Sequence, residues 1–220
     1  MTWEVLPLHL ADVVYPDWHP RFGDVGPVYA FLLRRDGAVL LVDTGLGPAH
    51  ADIDRHYQPT RYSLADALRK HGATTEEVDG VILTHLHFDH VGNAMQLPSI
   101  PLYAQEDELK AAKEAGYTIP EWLAFRRAAF VGIEGDRELR PGLRLIATPG
   151  HTPGHQSVAV DTAGGLVVIA GQALETANEL RGVLNGQRLE DAVRRTSAAR
   201  LTALQPAAML FSHDHERWSS

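Results

Sequence analysis

Histidine and aspartate fall at metal-ligand spacing in His85-Leu86-His87-Phe88-Asp89-His90. In extended backbone, residues two apart point to the same side, so His85 and His87 can grip one ion together. Asp89 and His90 follow where the chain can begin a helix, and their side chains then face a second position close to the first. Two further segments end an apolar run in histidine. Leu145-Ile146-Ala147 continues through Thr148-Pro149-Gly150 into His151, and Met209-Leu210-Phe211 through Ser212 into His213. Ligands in open sheets sit beyond the carboxyl ends of strands, so all these tips can converge. Three imidazoles with an open fourth position form a catalytic zinc arrangement, in which bound water loses a proton near neutral pH.

Composition agrees with a site made of nitrogen and oxygen. The 220 residues include 12 histidines and no cysteine, which excludes thiolate ligands, disulfides and a cysteine nucleophile. With 20 basic and 28 acidic side chains the net charge is −8, which argues against a nucleic-acid partner. Hydrophobic residues make up 45% and charged ones 22%, enough for an ordinary core and too apolar for large-scale disorder. No apolar run approaches the roughly 18 residues of a spanning helix, and Met1–Pro7 carries no basic-then-apolar leader. The expectation is a cytoplasmic protein with a small-molecule substrate and no membrane partner. No Pro- or Ser-rich linker divides the chain, so residues 1–220 are expected to form one domain.

The elements that must hold these residues follow from periodicity. Tyr29–Arg34 and Val39–Asp43 are apolar runs around Asp36-Gly37, a hairpin signal. The second run empties into Asp43-Thr44-Gly45-Leu46-Gly47. Ser63 to His71 has helical spacing, and Val81-Ile82-Leu83 reads as a buried strand leading straight into the histidine run. Leu102–Ala104 predicts a strand, Glu106–Ala115 and Glu121–Ala129 helices, then Leu143–Ala147, Ser157–Asp161 and Leu166–Ala170 strands. A helix over Leu189–Leu204 and a strand over Ala208–Phe211 close the chain. Each half offers strands, a histidine-bearing loop and helices. This order predicts an α/β protein with two mixed sheets packed together and helices outside.

Asp43 in Val-Asp-Thr-Gly-Leu-Gly, the His85–His90 run, Thr-Pro-Gly-His151-Thr-Pro-Gly-His155 and Phe-Ser-His213-Asp-His215 together resemble the metallo-β-lactamase superfamily. The motifs extend from Asp43 to His213. The stretch Val91–Ala112 and the Gly-His-Thr-Pro-Gly-His-Gln-Ser segment are most similar to the N-acyl-homoserine lactone lactonase branch. The resemblance implies a four-layer αββα sandwich. It implies that His85, His87 and His151 hold one metal and that Asp89, His90 and His213 hold a second, with a hydroxide between them as nucleophile. Asp89 would also pass a proton to the leaving alkoxide. Asp43 would accept an imidazole N–H and fix its tautomer, the other reading being a turn cap at the strand exit. Zinc is the expected metal, one ion firmly bound and a second more weakly, with iron, manganese and cobalt open. A homodimer is among the assemblies this leaves open.

Two positions depart from the family pattern. Gln172 stands where the family carries an aspartate that bridges the metals, which removes a negative charge and should weaken the second ion. Glu175 stands where the lactonases generally have a tyrosine; on a helix it would share a face with Gln172 and could restore the charge, or else point to solvent. The leading substrate is a lactone such as an acyl-homoserine lactone. A thioester, as in glyoxalase II, or another ester shares the ligand set, and a non-catalytic metal- or ligand-binding member is the reading from a different class. His155 is expected to order its loop, and His9, His19, His50, His56, His71 and His215 to lie at the surface. Trp18, Phe22, Trp122, Phe125 and Phe130 are candidates for core or for the roof of a substrate pocket.

Overall fold

The computed structural model describes residues 2–126 and 128–220. Strands β1 (Glu4–Val14), β2 (Val25–Arg35), β3 (Ala38–Val42), β4 (Thr60–Arg61), β5 (Gly80–Ile82), β6 (Pro101–Gln105) and β7 (Ala129–Ile133) form one sheet in the order β4-β1-β2-β3-β5-β6-β7. Its first half is antiparallel, and from β3 onward the strands run parallel. Strands β8 (Arg137–Arg140), β9 (Leu143–Ala147), β10 (Gln156–Thr162), β11 (Gly165–Ile169), β12 (Ala208–Leu210) and β13 (Trp218–Ser219) form the second sheet, antiparallel except for β11 with β12. Helices α1 (Ala51–Tyr57), α2 (Leu64–Lys70), α3 (Phe88–Val91), α4 (Glu106–Ala111) and α5 (Pro120–Leu123) follow strands of the first sheet; α6 (Ala177–Leu184) and α7 (Ala192–Ala203) precede β12.

Alternation along the strands divides the core into layers. Phe31, Leu33 and Val42 point between the sheets and meet Leu145, Val158 and Ile169. Their neighbours Leu32 and Leu41 face the other way, onto Leu64 and Leu68 of α2. Val168 and Met209 face outward onto Leu180 of α6 and Leu201 of α7. Helix, sheet, sheet and helix therefore stack as the sequence implied. Local signals support each element. Asp36 and Gly37 both adopt positive φ, 52° and 85°, and close a two-residue hairpin between Arg35 and Ala38. Ser63 caps α2 by accepting from Asp66 N–H at 3.2 Å.

Several expectations are corrected. The helix expected over Glu121–Ala129 is the single turn α5, and Phe130 lies in β7, because residues from Ala129 pair in parallel with Pro101–Gln105. Helix α4 stops at Ala111 rather than Ala115. Helix α7 starts at Ala192 because Asp191 caps it, accepting from Arg194 N–H at 2.6 Å. Strand β1 escaped the pattern because Pro7, His9 and Asp12 interrupt it; β4 pairs only Ala11 and Asp12, which leaves an open edge at Pro7, where a missing N–H is tolerated.

The site loops are pressed together at a glycine pair. A Cβ built on Gly92, just past α3, would lie 2.0 Å from the Gly47 nitrogen. Backbone of the histidine segment thus seats directly on the loop after β3. Replacing Gly92 by alanine should cost about 1–3 kcal/mol of stability through overpacking; urea unfolding with an unchanged midpoint would contradict this packing.

Candidate metal centre

Strand β3 is followed at once by Asp43, whose backbone turns to φ 59° and whose N–H donates to Ile82 O at 2.8 Å. A non-glycine residue there is strained and persists only where its surroundings hold it. What holds Asp43 is a buried network. Oδ1 accepts from Thr84 N–H at 2.7 Å, and Oδ2 accepts from Thr84 Oγ1–H and from His90 Nδ1–H, both at 2.8 Å. With its proton on Asp43, Thr84 Oγ1 is free to accept from His85 Nδ1–H at 3.1 Å. Across the cleft, His213 Nδ1–H donates to Pro27 O at 2.9 Å. Each of these rings therefore directs Nε2 inward, and the buried Nε2 atoms of His85 and His90 have no hydrogen-bond partner among the described residues.

Two groups of donor atoms result, each with its atoms within 4.8 Å of one another: His85, His87 and His151, and Asp89, His90 and His213. His151 Nε2 lies 3.2 Å from His87 Nδ1. That matches the roughly 3.3 Å between two nitrogens at about 2.0–2.1 Å from a tetrahedral zinc. Asp89 Oδ2 lies 3.5 Å from His213 Nε2 and 3.8 Å from His90 Nε2. The His85 and His90 rings are 3.9 Å apart, so the groups adjoin. Unpartnered buried nitrogens and an all-nitrogen-and-oxygen donor set fit a pair of divalent cations.

Electrostatics keep most of these donors ready. Burial, and then the neighbouring imidazoles, push His85 and His151 well below the ordinary histidine range, and burial lowers His87 and His213. Burial raises Asp89, but His90, His213 and His87 outweigh it and hold the carboxyl below its usual range. His90 is the exception. Burial works to lower it, yet Asp43 and Asp89 together carry it above 6.5.

Gln172 is brought to the cleft by the turn after β11. Its N–H donates to His155 Nε2 at 2.9 Å, and its side chain lines the cleft. His155 is the loop-ordering residue expected: burial lowers its pKa to about 3, and Nδ1 lies 3.1 Å from Thr148 O. Glu175 also lines the cleft, but neither helical expectation for it holds. Gln172 lies in a turn and Glu175 in irregular chain before Thr176, the N-cap of α6, while its carboxylate sits 3.6 Å from Arg194.

The cleft wall was largely missed by sequence. Tyr15, His19, Tyr57 and Phe88 line it, and His19 stacks on Tyr15 at 4.2 Å rather than lying free at the surface. Of the other supposed surface histidines, His56 and His215 are exposed, whereas His9, His50 and His71 are half-buried. Trp122 is core, and Phe125 and Phe130 pack against core. Trp18 and Phe22, 60% and 68% exposed, do not line the cleft but a neighbouring hollow that shares Tyr15 with it. The signal for Tyr15 was available in the inward parity of Ala11, Val13 and Tyr15, had β1 been recognised.

Comparison with known proteins agrees with this geometry. The sequence profile of the metallo-beta-lactamase superfamily matches residues 23–219. An N-acyl homoserine lactonase of a Bacillus species is 28% identical over 207 residues, covering 87% of this chain and 82% of its own. The solved structure of a substituted Bacillus thuringiensis AiiA with N-decanoyl-L-homoserine at its active site superposes with TM-score 0.79 at 24% identity, covering 97% of this chain and 93% of that one. AidC, a dizinc quorum-quenching lactonase solved with its product, superposes with TM-score 0.66 at 17% identity over 90% of this chain and 76% of its own.

The Asp43 network has a direct consequence. In chelator-treated protein, Asp43→Asn should lower the His90 pKa, because the largest influence raising it is gone. Imidazole nitrogen NMR across a pH series reads this, and an unchanged His90 titration would refute the linkage.

Proposed function

Because the chain belongs to the metallo-β-lactamase superfamily, and because six ligand-type side chains converge on one cleft, we propose that it is a metal-dependent hydrolase of the lactonase type. Zinc is the proposed metal, held firmly by His85, His87 and His151 and more weakly by Asp89, His90 and His213. A bound divalent cation lowers the pKa of water toward neutrality and polarises a carbonyl. The observation that carries the reading is the pair of buried, unpartnered Nε2 atoms on His85 and His90, with their Nδ1 sides fixed by Thr84 and Asp43.

Within this reading the side chains divide the work. Asp89, held ionised by its surroundings, would take a proton at Oδ2 from the water whose oxygen bonds to the lactone carbonyl carbon, and would return it to the alkoxide oxygen freed as the ring C–O bond breaks. Tyr15, raised to about 12 chiefly by burial, keeps its proton and faces the cleft as a donor toward a substrate oxygen. Gln172 contributes an amide where a carboxylate would neutralise a second ion, which supports the weaker second site. Val13, Tyr57 and Phe88 supply apolar wall beside the donor groups, suited to the acyl chain of a neutral substrate. We assign the lactone, with an acyl-homoserine lactone as the leading candidate, from this apolar wall and the named relatives.

Three outcomes test the proposal. With zinc supplied, a panel of acyl-homoserine lactones, simple lactones, aryl esters and thioesters should show fastest turnover on a lactone, and His85→Ala should abolish it; thioester preference or an active His85→Ala overturns the assignment. Gln172→Asp should raise bound metal per chain, whereas an unchanged ratio removes Gln172 from the bridging place. Acidification should empty the second site first. His90 sits above 6.5 and takes a proton while His85 and His151, well below, stay free. Metal content after equilibrium dialysis from about pH 8 to about pH 5 should therefore fall in two steps, and loss in one step contradicts it.

A further inference from the structure

Glu108 is fully buried on α4 and takes no part in the chemistry described above. Four donors converge on its two oxygens. Oε1 accepts from Leu86 N–H at 2.8 Å and from the Tyr117 hydroxyl. Oε2 accepts from Thr152 Oγ1–H at 2.7 Å and from Gly154 N–H at 3.2 Å. Leu86 is the residue between His85 and His87, and Thr152 and Gly154 follow His151. Tyr117 lays its ring 4.9 Å from the ring of His87. One carboxylate thus ties together the two loops that carry His85, His87 and His151. The loop of His151 is seated as closely as it can be: a Cβ on Gly154 would lie 2.0 Å from the Glu108 nitrogen.

The other group of donors is held by different means. His90 is fixed by Asp43, and His213 by Pro27 O. None of these partners touches Glu108. A buried carboxylate is costly unless its lone pairs are used, and here all four donors use them. Glutamine at this position could accept at one end only, and its NH2 group would face an obligate N–H donor at the other, Leu86 or Gly154, beside a hydroxyl that would have to turn and accept.

We propose that Glu108 is a positioning residue that sets the spacing of His85, His87 and His151, and so sets the affinity and geometry of that site selectively over the Asp89/His90/His213 site. The proposal rests on the reading of these groups as metal sites. It is separate from that reading in what it predicts, because it concerns the difference between the two sites.

The test is titration of metal-free, full-length protein with Co(II), followed by visible d–d absorption and chelator competition, with thermal unfolding of each metal-free variant recorded alongside. Glu108→Gln should weaken the first site by about 10–100-fold, the usual effect of losing an outer partner of a ligand, and change the four-coordinate spectrum, with second-site affinity unchanged. Thr152→Val removes one donor at nearly constant volume; it should shift the first site in the same direction and less, which keeps the test open if Glu108→Gln fails to fold. Variants that lose thermal stability while retaining the wild-type first-site affinity and spectrum overturn the positioning role alone. Equal weakening of both sites also overturns it, by showing a general structural effect. Wild-type protein that binds no Co(II) overturns the metal-site reading and this inference with it.

Discussion

The Asp43 carboxylate touches neither cluster of donor atoms, yet one imidazole in each depends on it. Asp43 receives His90 Nδ1–H directly, and it receives the Thr84 hydroxyl proton, which turns the oxygen of Thr84 toward His85 Nδ1–H. Both rings then present a bare Nε2 inward. The arrangement places a non-glycine residue at φ 59°, a conformation that costs of order 1–3 kcal/mol. It also places an ionisable group where no solvent reaches it. Three short hydrogen bonds offset those costs, and they form only because β3 and β5 run parallel side by side and end at the same level, with Leu40, Leu41 and Val42 opposite Gly80, Val81 and Ile82.

Five imidazoles this close together can share an interior only while most are neutral. Burial ensures it at His85, His87, His151 and His213, and the same burial leaves their lone pairs without solvent competitors. The protein therefore supplies a strongly cation-attracting cavity before any cation arrives. Charge balance is where this chain differs from the family pattern. Apart from Asp43 behind the rings, Asp89 is the carboxylate among the donor atoms, and Gln172, proposed above to stand at the bridging place, lines the same cleft with a neutral amide. Glu175 lines the same cleft but leans toward Arg194, which draws its charge away from the centre. On that proposal the balance favours one tightly held cation over two.

Much of this was legible in the sequence, and for a physical reason. Strand-tip histidines at a spacing of two, followed by a helix start, leave little freedom in where their side chains point, so the pairing of His85 with His87 and of Asp89 with His90 was legible locally, whereas placing His151 with the first pair and His213 with the second came from the family resemblance. The hairpin at Asp36-Gly37 and the cap at Ser63 were equally local. What could not be read locally was set by tertiary context. Strand β1 is polar at several positions because one of its edges is almost bare; α5 is cut short because β7 must pair with β6. Glu108 sits among Glu106 and Asp107 at the start of α4, where acidic residues suit the helix dipole and read as solvated. Its one sequence signal is that Ala111 and Ala112, three and four residues on, share its inward face. Glu175 was misplaced because a spacing of three means a shared face only on a helix, and no helix begins until Ala177.

The central claim is that the two donor groups hold divalent cations, the His85/His87/His151 group more tightly. Anomalous diffraction at the zinc absorption edge, from crystals of protein purified without chelator, tests it most directly. The account predicts a strong peak equidistant from His85 Nε2, His87 Nδ1 and His151 Nε2, and a weaker or absent one among Asp89, His90 and His213. No peak at the first position from protein supplied with zinc, or a stronger peak at the second, would contradict it.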